Sequence, residues 1–92
     1  MIKTFKCKRT ESLFQGKRVA KWANLATVAI RKLQMLEAAD SIDDLLIPPG
    51  NRLEKLSGDR ANQWSIRVNE QFRVCFRFEN GDAFDVEIVD YH

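Results

Sequence analysis

From Trp64 onward the hydrophobic residues recur with a period of two, and no other feature restricts the fold as tightly. Trp64, Ile66 and Val68 alternate with Ser65 and Arg67. Phe72, Val74, Phe76 and Phe78 alternate with Arg73, Cys75 and Arg77, and Phe84, Val86 and Ile88 alternate with Asp85 and Glu87. Successive side chains leave a strand on opposite faces, so each run reads as a half-buried strand. Three such strands predict an antiparallel sheet with one apolar face that must be covered.

The connection at Asn80-Gly81 decides the register. Asn-Gly is the strongest short signal for a two-residue hairpin loop. Such a loop pairs Glu79 with Asp82 and sets Phe76 opposite Asp85, a core residue against a solvent residue, which parity disfavours. A three-residue loop, Glu79-Asn80-Gly81, with Gly81 in a left-handed bulge position, pairs Phe78 with Asp82, Phe76 with Phe84, Val74 with Val86 and Phe72 with Ile88. This is the expected register. It sets Arg73 opposite Glu87, an exposed ion pair contributing about 0.5 kcal/mol. It also brings Asp90-Tyr91-His92 beside the turn Asn69-Glu70-Gln71, with Arg73 roughly 7 Å along the neighbouring strand.

The first half of the chain supplies the cover. Ile2 to Lys6 reads as a short strand, and Thr10 stands where a helix N-cap would, with Leu13 and Phe14 as apolar contacts and Gly16 as the stop. A basic linker, Lys17-Arg18-Val19-Ala20-Lys21, leads into a helix over Trp22 to Ala39, in which Ala26, Ala29, Ile30, Leu33 and Leu36 share one face. Asp40 and Ser41 break that pattern, and Ile42 to Leu46 makes one more turn. Pro48-Pro49-Gly50-Asn51 is then a stiff step followed by a turn, with the glycine free to take positive φ. The expected fold is α+β: two N-terminal helices packed on one face of a small, mainly antiparallel twisted sheet, with residues 1–92 forming one domain. A chain of this length buries roughly 60 to 65% of its unfolded surface, enough for a single core.

With 45% apolar and 30% charged residues, the chain is neither disordered nor fibrous. No stretch approaches the ~18 apolar residues of a membrane span, and residues 1–14 lack the apolar block of a secretion signal, so a cytoplasmic protein without membrane contact is expected. Cys7 and Cys75 are too few and too far apart for a metal cluster or disulfide framework, and neither metal nor other cofactor is anticipated. The net charge of +2 hides an asymmetry: residues 1–36 hold nine Lys/Arg against Glu11, and residues 37–92 hold six against twelve Asp/Glu. The basic half could follow a phosphate backbone, or the two halves could simply neutralise each other.

Asp90-Tyr91-His92 offers a carboxylate, a phenol and an imidazole whose ordinary pKa lies near 6.5. Arg73 adds a fork of donors suited to phosphate. These are the parts for cutting RNA by attack of its own 2′-hydroxyl, which needs no metal. Read alone, this signal is weak, because a histidine at the end of a strand is more often an ordinary surface residue.

Longer runs add a resemblance. P-P-G-N-R-L-E-K-L-S-G-D-R from Pro48, W-S-I-R-V-N from Trp64, F-R-V-C-F from Phe72 and D-V-E-I-V-D-Y-H from Asp85 resemble the HigB family of bacterial toxins, in the RelE-like group of type II toxin-antitoxin systems. I-K-T-F-K from Ile2 and K-L-Q-M-L from Lys32 are similar too. The resemblance implies a small ribonuclease that enters the ribosomal A site and cuts translated mRNA. It would be neutralised by a HigA-like helix-turn-helix antitoxin that alone contacts operator DNA. It also implies that Asp90, Tyr91, His92 and Arg73 carry the activity. Some relatives have a histidine where this chain has Glu54, which can accept a proton but cannot donate as an imidazolium does, so the acid and base roles stay open. Arg52, Lys55, Arg60, Arg67 and Arg77 are candidate RNA contacts. Lys6, Lys8, Arg9, Lys17, Arg18, Lys21, Arg31 and Lys32 form an expected docking surface for ribosomal RNA or an acidic antitoxin face. The alternative is a non-catalytic RNA-, ribosome- or antitoxin-binding subunit.

Overall fold

The computed structural model describes residues 1–91 of the chain. Its helices are α1 (Lys8–Phe14) and α2 (Ala26–Ala38), followed by β1 (Glu54–Lys55), β2 (Trp64–Arg67), β3 (Phe72–Glu79) and β4 (Asp82–Asp90). Single 3-10 turns lie at Ala20–Trp22, Ile42–Leu46, Pro49–Asn51 and Gly58–Arg60. The strands form one antiparallel sheet in the order β1-β2-β3-β4. Ile66, Val68, Val74, Phe76, Ala83, Val86 and Ile88 from the sheet meet Leu13, Trp22, Leu25, Ala29, Leu33, Leu36 and Leu45 from the helical half, which is the expected layering.

Several local expectations change. The long helix starts at Ala26, because Leu25 leaves helical geometry (φ −121°, ψ 2°); Trp22 and Leu25 in the preceding turn are both buried. Thr10 lies inside α1, whose N-cap is Cys7. Its buried hydroxyl instead accepts the Ile88 N–H at 3.1 Å, satisfying a strand-edge donor that water cannot reach. Residues 2–6 make isolated parallel bridges, Ile2 to Ala83 and Phe5 to Val86, along the outer edge of β4. In the proline-rich turn the positive φ falls on Arg52 (44°), not on Gly50.

The hairpin register is the main correction. The loop has two residues, with Asn80 at φ 51° and Gly81 at φ 82°, and Glu79 pairs with Asp82. Phe78 then pairs with Ala83 and Arg77 with Phe84, but Cys75 pairs with Glu87 and Val74 with Ile88. One residue of β3, Phe76, is therefore opposed by two of β4, Asp85 and Val86, and Asp85 takes φ 55°. The parity conflict is real, yet a β-bulge inside the strand resolves it rather than a longer loop. As a result Phe84 turns to the polar face, 4.7 Å beneath the Arg77 guanidinium, while Ala83 takes the core position. The tight loop packs closely: a Cβ at Gly81 would sit 3.0 Å from the Asp40 carbonyl oxygen.

Candidate functional site

The register sets one row of residues on the polar face, odd-numbered in β2 and β3. Glu54 lies opposite Ser65, Ser65 opposite Cys75 and Cys75 opposite Glu87, while Arg67 faces Arg73 and Arg73 faces Val89. Where this row meets the β2–β3 turn and the start of β1, an open cleft of about 470 Å³ is lined by Arg52, Glu54, Arg67, Asn69, Glu70, Arg73 and Tyr91. Three guanidinium groups, two carboxylates and a phenol thus share one small space.

Arg73 does not pair with Glu87 as the three-residue loop required; the bulge moves it opposite Val89. Its Nε donates to the Ser65 hydroxyl at 2.8 Å and its Nη2 to the Arg52 carbonyl. These acceptors, and the Ser65 carbonyl that Nη2 also reaches at 3.4 Å, are all neutral, and no salt bridge within the described residues engages Arg52, Arg67 or Arg73. Two like charges placed opposite each other cost stability, so the cleft carries concentrated, aimed positive charge suited to an anion.

Glu87 instead accepts Arg60 Nη2 at 2.9 Å and lies 3.9 Å from Lys6 Nζ. The hydrogen bond to Glu87 raises the pKa of Arg60, and Arg60 is not among the residues that line the cleft. Tyr91 is pinned through its N–H, which donates to the Gln71 carbonyl, and Asp90 accepts Gln71 Nε2 at 3.1 Å. These bonds realise the expected meeting of that segment with the 69–71 turn. Burial and the neighbouring Cys75 thiol push the Tyr91 phenol up, with Arg60 and Arg73 acting against them. Burial likewise pushes the Cys75 thiol up, so it stays protonated and unreactive near neutrality. His92 lies outside the described residues.

Other candidates are dispersed. Lys55 sits opposite Trp64, and its Nζ lies 5.5 Å from that ring, on the other face from Glu54. Arg77, at the far end of β3, pairs with Asp85 at 3.3 Å and with Glu79. Lys17 and Arg18 rim a separate depression of about 480 Å³ over Leu13, Val19, Ala23, Ala26 and Ile30, and Lys21 lies 6.0 Å from the Trp22 ring. Lys32 is not on any docking surface: it is buried and donates to Asn51 Oδ1 at 2.6 Å.

Asn69 and Glu70 enter the cleft without having been singled out from the sequence. Asn69 was legible as a turn former: its Oδ1 accepts the N–H groups of Gln71 and Phe72, both at 2.8 Å. Ser65, which aims Arg73, is a small polar residue whose only sequence signal is its place on the polar face. Chemically, the cleft can hold a phosphate on its arginines, accept protons on Glu54 or Glu70, and donate from Tyr91. Among the described residues no three His, Cys, Asp or Glu side chains converge as metal ligands would, and no helix is long and apolar enough to cross a membrane.

A four-stranded antiparallel sheet with two helices over its apolar face is the arrangement of a RelE-like toxin. The family described as the RelE-like toxin of type II toxin-antitoxin system HigB matches residues 3–92, and the chain belongs to it. It is 38% identical to the Endoribonuclease HigB of Proteus vulgaris over the whole of both chains. It is 43% identical to Toxin HigB-1 of Vibrio cholerae over 63 residues, which span 68% of this chain and 66% of that one. A Haemophilus influenzae protein of unassigned function is 43% identical over 61 residues, covering 66% of this chain and 60% of its own length.

Proposed function

We propose that the chain is an endoribonuclease that cuts mRNA on the ribosome, its residues 1–92 acting as one domain. The observation that carries this reading is Arg73, held on neutral acceptors and aimed beside Tyr91 and Glu54 with no carboxylate paired to it among the described residues. The name of the Proteus vulgaris relative supports the same activity.

In this mechanism Arg73, with Arg52 and Arg67, holds the scissile phosphate and stabilises the charge of the pentacoordinate transition state. The 2′-hydroxyl loses its proton to Glu54 as its oxygen bonds phosphorus. The bond from phosphorus to the 5′-oxygen breaks, and that oxygen takes a proton, leaving a 2′,3′-cyclic phosphate and a 5′-hydroxyl. The raised Tyr91 phenol stays protonated near neutrality and serves as a donor, either to the phosphate or to the leaving oxygen. His92 shares that donor role, and Asp90, tied to Gln71, orients it. Arg60, Lys55, Arg77, Lys17, Arg18 and Lys21 act outside the cleft, in docking to ribosomal RNA or to the antitoxin. The partner is a HigA-like helix-turn-helix antitoxin, which alone reads operator DNA, and the complex and its ribosomal A-site target place the protein in the cytoplasm.

The test is to express the chain briefly and map mRNA 5′ ends with translation running and with translation blocked. New 5′-hydroxyl ends inside translated mRNA that vanish when translation is blocked support the proposal. Translation arrest and RNA association without new ends would replace it with a non-catalytic ribosome binder.

A further inference from the structure

One buried polar cluster lies behind the cleft, and packing alone gives it no purpose. Lys32 is 8% exposed and its ammonium donates to Asn51 Oδ1 at 2.6 Å. Asn51 is 0% exposed, and its Nδ2 donates to the Leu45 carbonyl at 3.2 Å and approaches Met35 Sδ at 3.8 Å. Burial, with the charge of Arg31 adding to it, lowers the Lys32 pKa. No carboxylate pairs with Lys32 among the described residues. A buried cation on a single amide oxygen is a costly way to join a helix to a loop, where an apolar contact would serve.

The cluster does hold Asn51, the residue before Arg52. Arg52 takes the left-handed conformation (φ 44°, ψ 56°), which a residue with a side chain adopts only when its surroundings impose it. Its N–H donates to the Pro49 carbonyl at 3.0 Å, and the Asn51 N–H to the Pro48 carbonyl at 2.9 Å. That conformation turns the Arg52 carbonyl toward Arg73 Nη2. A continuous chain of contacts therefore runs from Lys32 on α2, through Asn51 and the backbone of Arg52, to the cleft guanidinium.

We propose that Lys32 and Asn51 are positioning residues for the cleft: their buried ammonium–amide pair sets the Arg52 carbonyl, which with the Ser65 hydroxyl fixes the direction of Arg73. This rests on the reading of Arg73 as the phosphate clamp. It explains why a charge is retained inside the core, and why the segment between α2 and β1 folds as a tight turn bonded to the helix rather than as a free loop.

The deciding experiment uses the double variant Lys32→Met/Asn51→Leu. Replacing both partners by apolar groups of similar shape removes the buried ammonium together with its acceptor and costs only the Asn51 Nδ2 bond to the Leu45 carbonyl, so the tie is lost, and a thermal melt on the same preparation checks that the fold is retained. Two readouts are compared with wild type: hydrogen exchange of the Arg73 Nε–H by NMR on the free protein, and kcat and KM for mRNA cleavage on programmed ribosomes. The expected result is exchange faster by on the order of 10-fold, kcat lower by about 10- to 100-fold and KM within about 3-fold, because a misdirected clamp fails in the transition state. Wild-type exchange together with wild-type kcat would overturn the proposal. Should the double variant not fold, Lys32→Met alone is read the same way, since it keeps the Asn51 bond to Leu45; a change supports the proposal and wild-type values refute it. If the wild-type protein cuts no RNA, the functional reading fails while the exchange measurement still decides whether Lys32 and Asn51 position Arg73.

Discussion

Replacing Arg73 by glutamine separates a residue that holds the fold from one that holds the substrate. On the stability side, the fully buried Ser65 hydroxyl loses its 2.8 Å donor, a cost of about 1 kcal/mol. The second acceptor, the Arg52 carbonyl, is exposed, and water replaces the lost bond there. Against these losses, Arg67 no longer faces a like charge across the strands, a relief of about 0.2–1 kcal/mol. The net change is under about 1 kcal/mol, or no more than about 8 °C in the midpoint of a domain this size. On the catalytic side, removing an aimed cation from a developing phosphorane costs on the order of 100- to 1000-fold in kcat. Thermal melts by circular dichroism and single-turnover cleavage on programmed ribosomes measure the two quantities separately. A midpoint lowered by more than about 15 °C would make Arg73 a structural strut, and cleavage at the wild-type rate would remove it from the mechanism.

Glu54→Gln keeps the shape of an exposed side chain in the cleft but removes its proton acceptor, so cleavage should slow by about 100-fold without loss of folded protein, as read by kcat and a melt on one preparation. Thr10→Val takes the acceptor from the buried Ile88 N–H and should destabilise by about 1–3 kcal/mol in urea unfolding, with little effect on the cleft. The raised Cys75 thiol binds its proton more tightly folded than unfolded, so its contribution is full at neutral pH and is lost as pH rises above the ordinary thiol range of about 8.5. Cys75→Ala should therefore show a flatter fall of melting midpoint between pH 8 and 10.5 than wild type, and parallel curves would contradict the burial argument.

The period-two runs were enough to locate the three long strands and to separate the faces of β2 and β3, because face alternation is a property of consecutive residues. They also carried the information that an extra residue had to enter the last hairpin. They could not say where: a three-residue loop and a two-residue loop followed by a bulge restore parity equally well. The outcome accompanies contacts far away in the chain, with the Asp40 carbonyl beside Gly81 and the backbone and hydroxyl of Thr4 against Val86 and Asp85. One misplaced residue then had several consequences. Phe84 left the core side, Arg73 lost Glu87, and Glu87 acquired Arg60.

The candidate site divides along the same line. The meeting of residues 90 and 91 with the 69–71 turn followed from pairing, and Arg73 was named in advance from its chemistry and register, whereas Glu54 came from the family resemblance and Arg52 and Arg67 were named as basic candidates for RNA contact. Lys55, Arg77, Lys17, Arg18 and Lys21 carry the same charge but lie elsewhere, and Lys32 lies inside the core. A residue's type and its spacing from its neighbours set what it can do and which way its strand turns it, so the sequence by itself determined the layers, the apolar face and the chemistry on offer. Which of those groups meet, and whether an arginine faces a carboxylate or a neutral acceptor, depends on register and on packing between residues many positions apart. That was decided only by the tertiary structure.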